Sequence, residues 1–232
     1  MIKVKDLKFK FGENFAENIS FDVDFGEIYF IIFKEDPLRR HFFEIMRGFC
    51  SQFDGDIFID GKSIFDSHSH LDAVFINRLE EVHEFDTDAT MEQFIDYCCA
   101  SGKIDKLAVF EHLIRLHINE DRLKKRIKDE RPDIFRMVYL SVLLGMNTQN
   151  IVFNNFINVD DKVLQIEFNK TLIRKRNEGK SILYLTGDLF YAFHVADKIS
   201  FVKNGYLAPT SPIVAADFKE MDVMKLYKQY MS

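Results

Sequence analysis

Asp36, Arg39, Arg40 and His41 fall close together, directly after the unbroken apolar run Ile28–Phe33. Two guanidinium groups and an imidazole beside a carboxylate could hold an anion or neutralise one another. The apolar run reads as a strand buried on both faces of a parallel sheet. Asp36-Pro37 reads as a helix start, with the carboxylate at the N-cap and proline at the first helical position. Phe42, Phe43, Ile45 and Met46 supply that helix with a buried face, and Gly48 ends it. Strand, tight connection and helix form a frame that can hold phosphate, because a helix N-terminus offers free N–H groups and partial positive charge.

The phosphate-holding parts of such a frame are missing. A phosphate loop needs glycines, so that successive N–H groups can curl around an anion, and it needs a lysine and a Ser or Thr, as in G-x-x-x-x-G-K-[ST]. Laid on this stretch without a gap, the glycines fall on Phe33 and Leu38, the lysine on Arg39 and the Ser/Thr on Arg40. Asp36 is expected to satisfy the free N–H groups itself and to repel a polyphosphate. The stretch reads as a phosphate site closed by its own side chains.

The elements around it follow from periodicity. Ile2, Val4, Leu7, Phe9, Phe11, Ile19, Phe21, Val23 and Phe25 alternate with polar residues, which predicts half-buried antiparallel strands. A further strand runs into the turn at Asp60-Gly61. Met91, Phe94, Ile95 and Cys98, and then Leu107, Phe110, Ile114 and Ile118, recur at helical spacing. Pro132 opens another helix, with Ile134, Met137, Val138, Leu140 and Leu144 on its apolar face and Gly145 at its end. The last third alternates strands (Ile151–Phe153, Ser181–Thr186, Ile199–Val202) with helices, the first capped by Asp160 and carrying Leu164, Phe168 and Leu172. Such alternation implies crossovers and a parallel sheet.

Bulk properties exclude several classes. The chain has 232 residues, 47% of them hydrophobic, and a net charge of −6, so there is no broad nucleic-acid footprint. No apolar run reaches the ~18 residues of a membrane span, and no signal-peptide pattern opens the chain. Cys50, Cys98 and Cys99 form no C-x-x-C pair and read as reduced, buried thiols of a cytoplasmic protein.

Five framework phrases, in register over Ile2 to Leu207, carry a resemblance: Asn18-Ile19-Ser20-Phe21, Gly26-Glu27-Ile28-Tyr29, Asp60-Gly61-Lys62-Ser63-Ile64, Ala196-Asp197-Lys198-Ile199 and Lys203-Asn204-Gly205. The chain resembles the nucleotide-binding subunit of ABC transporters. The resemblance implies an α/β, P-loop-NTPase-like cassette with a mainly parallel core sheet, an antiparallel β flank and an inserted helical subdomain. The core and flank would take residues 1–74 and 145–232, and the helical subdomain residues 75–144.

The family's chemistry does not carry over onto these residues. Where its second acidic motif ends a strand in Asp-Glu, this chain has Asn154-Asn155, amides that neither accept a proton nor charge a metal site. The signature aligns with Glu130-Arg131-Pro132-Asp133, without its glycines, and the switch histidine with Gly187. The linking glutamine is absent between Leu79 and Glu81. Phe11 alone fits, at the position that would stack on adenine. Phe11, Arg39, Arg40, Asn154, Asn155 and Gly187 are thus vestigial positions, and no catalytic residue, metal or ATP–magnesium cofactor is expected. The resemblance implies a catalytically inactive subunit of a heteromeric transporter, peripheral on the inner membrane face. Its partners would be an integral-membrane subunit and an active ATPase paralogue or a second copy. Phe75, Ile76, Leu79, Val82, Phe85, Met91 and Phe94 match the family's groove for a membrane-subunit helix, or merely join the two subdomains. A divergent ATPase that still energises transport, and a soluble scaffold or regulator unrelated to transport, are the alternatives.

Other features read blandly. His68-Ser69-His70 between Asp66 and Asp72 is a polar loop with no orienting partner for a metal. Cys98-Cys99 reads as core packing. Lys124, Lys125, Arg126, Lys128 and Arg131 read as a solvated helix end interleaved with Asp129 and Glu130.

Overall fold

A computed structural model describes residues 1–66, 73–76, 87–100, 104–156, 162–188, 192, 195–208, 225 and 228, the side chains of 163 and 164 apart. The chain folds as two compact units, Met1–Asn77 with Thr148–Ser232, and Arg78–Asn147. His68-Ser69-His70, Asp72 and Asp160 lie outside the described residues.

The first unit is built on a ten-stranded sheet. Its strands are β1 (Ile2–Phe11), β2 (Asn14–Val23), β3 (Ile28–Phe33), β4 (Phe53–Ile59), β5 (Lys62–Ser63), β6 (Ala73–Ile76), β7 (Asn150–Asn154), β8 (Ser181–Thr186), β9 (Lys198–Lys203) and β10 (Tyr206–Leu207). The spatial order is β5-β4-β1-β2-β10-β9-β3-β8-β7-β6. From β9 to β6 every pairing is parallel, and every residue of β3 and β8 is buried, as a sheet covered on both faces demands. From β5 to β2 every pairing is antiparallel, and the alternation along β1 and β2 puts Ile2, Val4, Leu7, Phe9, Ile19, Phe21 and Val23 in the core. Among the described residues, Tyr206 opposite Glu17, through β10, is the pairing that joins the two halves within the sheet.

The helix α1 (Asp36–Met46) follows β3 after Lys34 and Glu35 alone. Leu38, Phe42, Phe43, Ile45 and Met46 are buried in one core with residues of β1, β2, β3, β4 and β8. Gly48 follows with φ 75°, a left-handed conformation that fits a residue without a Cβ. The helix start differs from the sequence expectation. Glu35 is the N-cap, without a side-chain cap, and Asp36 is the first helical residue. Asp36 gives up the backbone N–H groups because two guanidinium groups on its own helix offer stronger, charged partners.

The second unit holds α2 (Met91–Cys99), α3 (Lys106–Arg115), α4 (Glu120–Leu123) and α5 (Pro132–Leu144). Thr90 and Gln93 form a capping box at the start of α2, and α3 packs on α5. The buried face of α3 is not the expected one. Leu107 and Ile114 are each 70% exposed, whereas Val109, His112 and Leu113 are buried. Two apolar stripes run along this helix, and the one facing α5 is chosen by tertiary packing. In the first unit, α6 (Lys162–Asn177) buries Phe168 and Leu172 and leads through Gly179 at φ 85° to β8. Among the described residues, no helix is long and apolar enough to cross a membrane.

Candidate functional site

The parallel strands β3, β8 and β7 are neighbours, so their C-terminal ends lie side by side where α1 begins. Crevices at such strand ends are where open α/β sheets hold ligands. Here protein side chains meet instead. Arg39, 2% exposed, reaches from α1 to the end of β7, and its Nη1 donates to Oδ1 of Asn154, itself 2% exposed. Since β8 lies between β3 and β7, the guanidinium spans the end of β8. Its Nη2 donates to Asp36 Oδ1, and Arg40 Nε donates to Asp36 Oδ2 at 2.7 Å. Burial works against the Asp36 charge, but the hydrogen bonds from Arg39 and Arg40 win and hold its carboxyl below the usual carboxylate range. Glu35 Oε2 and Arg39 Nε are buried with no hydrogen-bond partner among the described residues.

The connection that would cradle a phosphate is equally specific. No residue between Phe33 and Arg39 has a positive φ, so the backbone does not form the alternating curl that turns successive N–H groups inward. Phe33 and Leu38, at the glycine positions, are buried at 2% and 1%. The position of a magnesium-binding hydroxyl is Arg40, already paired to Asp36. At the end of β7, Asn155 has φ 47° and its Oδ1 accepts from Thr186 Oγ1 at 3.2 Å, while Asp188 N donates to the same hydroxyl at 2.9 Å. Gly187, at the switch position, lies beside β3, with Phe33 O 3.6 Å from where its Cβ would be. Magnesium coordination draws on carboxylates and hydroxyls; here the Asp36 carboxylate is taken up by Arg39 and Arg40, the Thr186 hydroxyl by Asn155 and Asp188, and the end of β7 offers two amides. No group of three or more His, Cys, Asp or Glu suited to a metal ion occurs among the described residues.

Phe11 is 46% exposed, and its outer partner is the protein itself. The His41 ring stacks on it at 4.7 Å between centroids and 28° between planes. Sequence reasoning placed Phe11 and His41 separately and missed their contact, which depends on where α1 crosses β1.

In the second unit, the residues at the signature position close on one another. Arg131 pairs with Asp133, with Nε donating to Oδ1 at 3.0 Å, and its backbone N–H donates to Glu130 Oε1 at 3.1 Å. That backbone hydrogen bond, with Lys125 and Arg122 nearby, holds the Glu130 carboxyl low. The basic cluster there is also paired: Lys125 to Glu130, Arg126 and Lys128 to Asp88, and Lys124 to Glu120.

The residues matched to a partner groove are placed as follows. Phe75 and Ile76 are on β6, with Phe75 edge-on to Phe43. Met91 and Phe94 are on α2, both buried, with Phe94 edge-on to Phe135 at 5.2 Å. Leu79, Val82 and Phe85 lie outside the described residues. None of the three cysteines forms a disulfide, and each is half-buried rather than buried.

No family model matches the chain. It is 22% identical over 246 residues to the Fe(3+) ions import ATP-binding protein FbpC of Fusobacterium nucleatum, covering 97% of this chain and 64% of that protein. It is 22% identical over 219 residues to the petrobactin import ATP-binding protein FpuC of Bacillus anthracis, covering 89% of this chain and 79% of the relative. Among solved structures, an ATP-binding subunit of an ABC transporter superposes with a TM-score of 0.78 at 15% identity, over 100% of this chain and 95% of that one. A bacterial ABC transporter cassette solved as a dimer gives 0.73 at 15% identity, over 92% and 99%. An ABC transporter cassette in its ADP conformation gives 0.74 at 15% identity, over 97% and 98%. The chain thus has the fold of the ATP-binding cassettes of ABC transporters.

Proposed function

We propose that this chain is a cassette subunit of an ABC transporter that has kept the architecture and lost the ATPase chemistry. The observation that supports this reading is the bridge from Arg39 to Asn154 and Asp36 across the strand ends, where the phosphates and magnesium of a working cassette would need space and carboxylates. One changed motif could be compensated. Here the phosphate-loop lysine, the acidic pair, the signature and the switch position are all replaced, and groups that act as one catalytic unit fail together. ATP–magnesium binding is accordingly absent or very weak. The role left is structural or regulatory: docking on an integral-membrane subunit at the cytoplasmic face, beside an active ATPase paralogue. The names of its relatives point to an importer, and to ferric iron or an iron-binding small molecule as the cargo of the assembly.

Two measurements test this. Titration of the purified chain with ATP and magnesium should give no saturable heat and no phosphate release; saturable binding with turnover would establish a divergent ATPase instead. Affinity purification of the tagged chain from detergent extract should bring down an integral-membrane protein and a second cassette protein. Recovery of the chain alone would favour a free-standing scaffold.

A further inference from the structure

His41, midway along α1, and Cys50, four residues past its end, form a pair that the cassette reading does not use. Cys50 Sγ lies 3.7 Å from His41 Nε2. The His41 ring is fixed by aromatic neighbours, stacked on Phe11 at 4.7 Å and tilted against Phe9 at 5.6 Å. Both partners are half-buried. A nucleophile within reach of a base, with the base oriented by a third group, is the arrangement that activates a thiol.

We propose that Cys50 and His41 form a thiol-modification site, at which Cys50 takes up a small disulfide as a mixed disulfide. His41 Nε2 accepts the proton from Cys50 Sγ. The thiolate attacks one sulfur of the incoming disulfide, a Cys50–S bond forms, and the old S–S bond breaks. The departing thiolate takes the proton back from His41, so one disulfide and one thiol give one mixed disulfide and one thiol.

The surroundings agree with this assignment. Burial pushes the His41 imidazole down, against the pull of Glu44, so the ring is neutral and able to accept a proton near pH 7. Glu44 lies three residues further along α1 and is itself held by Arg47 at 3.1 Å. Phe9 and Phe11, the neighbours from β1, bring no charge. Away from this pair, burial, with Cys99 adding to it, pushes the Cys98 thiol up to about 11, and burial also pushes Cys99 up. A thiol that holds its proton is a poor nucleophile.

The test is reaction of the intact chain with the aromatic disulfide dithiobis-nitrobenzoate, followed by peptide mass mapping and by rates across pH. Cys50 should be modified first near pH 7, about tenfold faster than Cys98 or Cys99. His41→Phe keeps an aromatic ring on Phe11 but removes the base. It should slow Cys50 about tenfold at neutral pH and match the wild type above the ordinary thiol range, where no base is needed. First labelling at Cys98 or Cys99, or superimposable pH–rate profiles for wild type and His41→Phe, would overturn the proposal. If His41→Phe unfolds the chain, all three thiols accelerate together. His41→Gln, polar but without a titratable base, then decides: a slowed Cys50 supports the assignment and an unchanged one overturns it.

Discussion

Arg39 Nη1 donates to Asn154 Oδ1 across 115 residues of sequence, both side chains 2% exposed. A helix start and a strand end are thereby tied by a charged hydrogen bond inside the protein. Arg39→Ala should destabilise the chain by about 2–3 kcal/mol, the scale of removing a buried charged donor from its acceptors. Urea unfolding measures this, and Arg39→Lys should recover only part, since a single ammonium cannot serve Asn154 and Asp36 from the same fork.

Asp36 gives the same cluster a pH signature. Its carboxyl is held low in the folded chain, burial opposing and the Arg39 and Arg40 hydrogen bonds prevailing. A depressed carboxyl stabilises the fold above its unfolded pKa, and that contribution fades as pH falls through the folded value. Asp36→Asn should therefore be less stable than the wild type at neutral pH, with the gap closing on acidification below the ordinary carboxylate range. Unfolding midpoints across a pH series would show it; a gap that widens in acid contradicts the assignment.

Restoring carboxylates alone should not restore chemistry. In Asn154→Asp with Asn155→Glu, the new aspartate would meet Arg39, already in place, and be neutralised by it rather than by magnesium. The double variant should show no magnesium-dependent phosphate release above background in a coupled assay. Turnover in this variant would mean that the guanidinium moves aside for nucleotide.

The face chosen by α3 is testable by paired substitutions. Leu113 is 1% exposed and Ile114 70%. Leu113→Ala should cost about 2–5 kcal/mol, and Ile114→Ser should stay within about 0.5 kcal/mol of wild type. Equal losses from the two would mean that the outer stripe is covered.

The architecture was legible wherever a period was clean. Alternation along Ile2–Val23 gave the antiparallel pair, and the run Ile28–Phe33 gave the buried parallel strand. The failures have a common cause. On α3 both stripes, Leu107 with Ile114 and Val109 with Leu113, satisfy helical spacing, and only the packing of α3 on α5 separates them. At α1, Asp36 has the right type for an N-cap, but Arg39 and Arg40 lie one turn along the helix and outbid the backbone. The pairing of His41 with Phe11 needs the crossing of α1 over β1, and that with Cys50 needs the path of the chain after Gly48, neither of which a local period encodes.

Among the described residues, the single rung at Tyr206 and Glu17 has a mechanical corollary. Backbone stitching between flank and parallel sheet is so slight that α1, which packs on β1, β2, β3, β7 and β8, acts as the keystone. Whatever is bound at the strand ends, this helix answers first to masonry. A change to one of its inward residues would be felt on both sides of the seam.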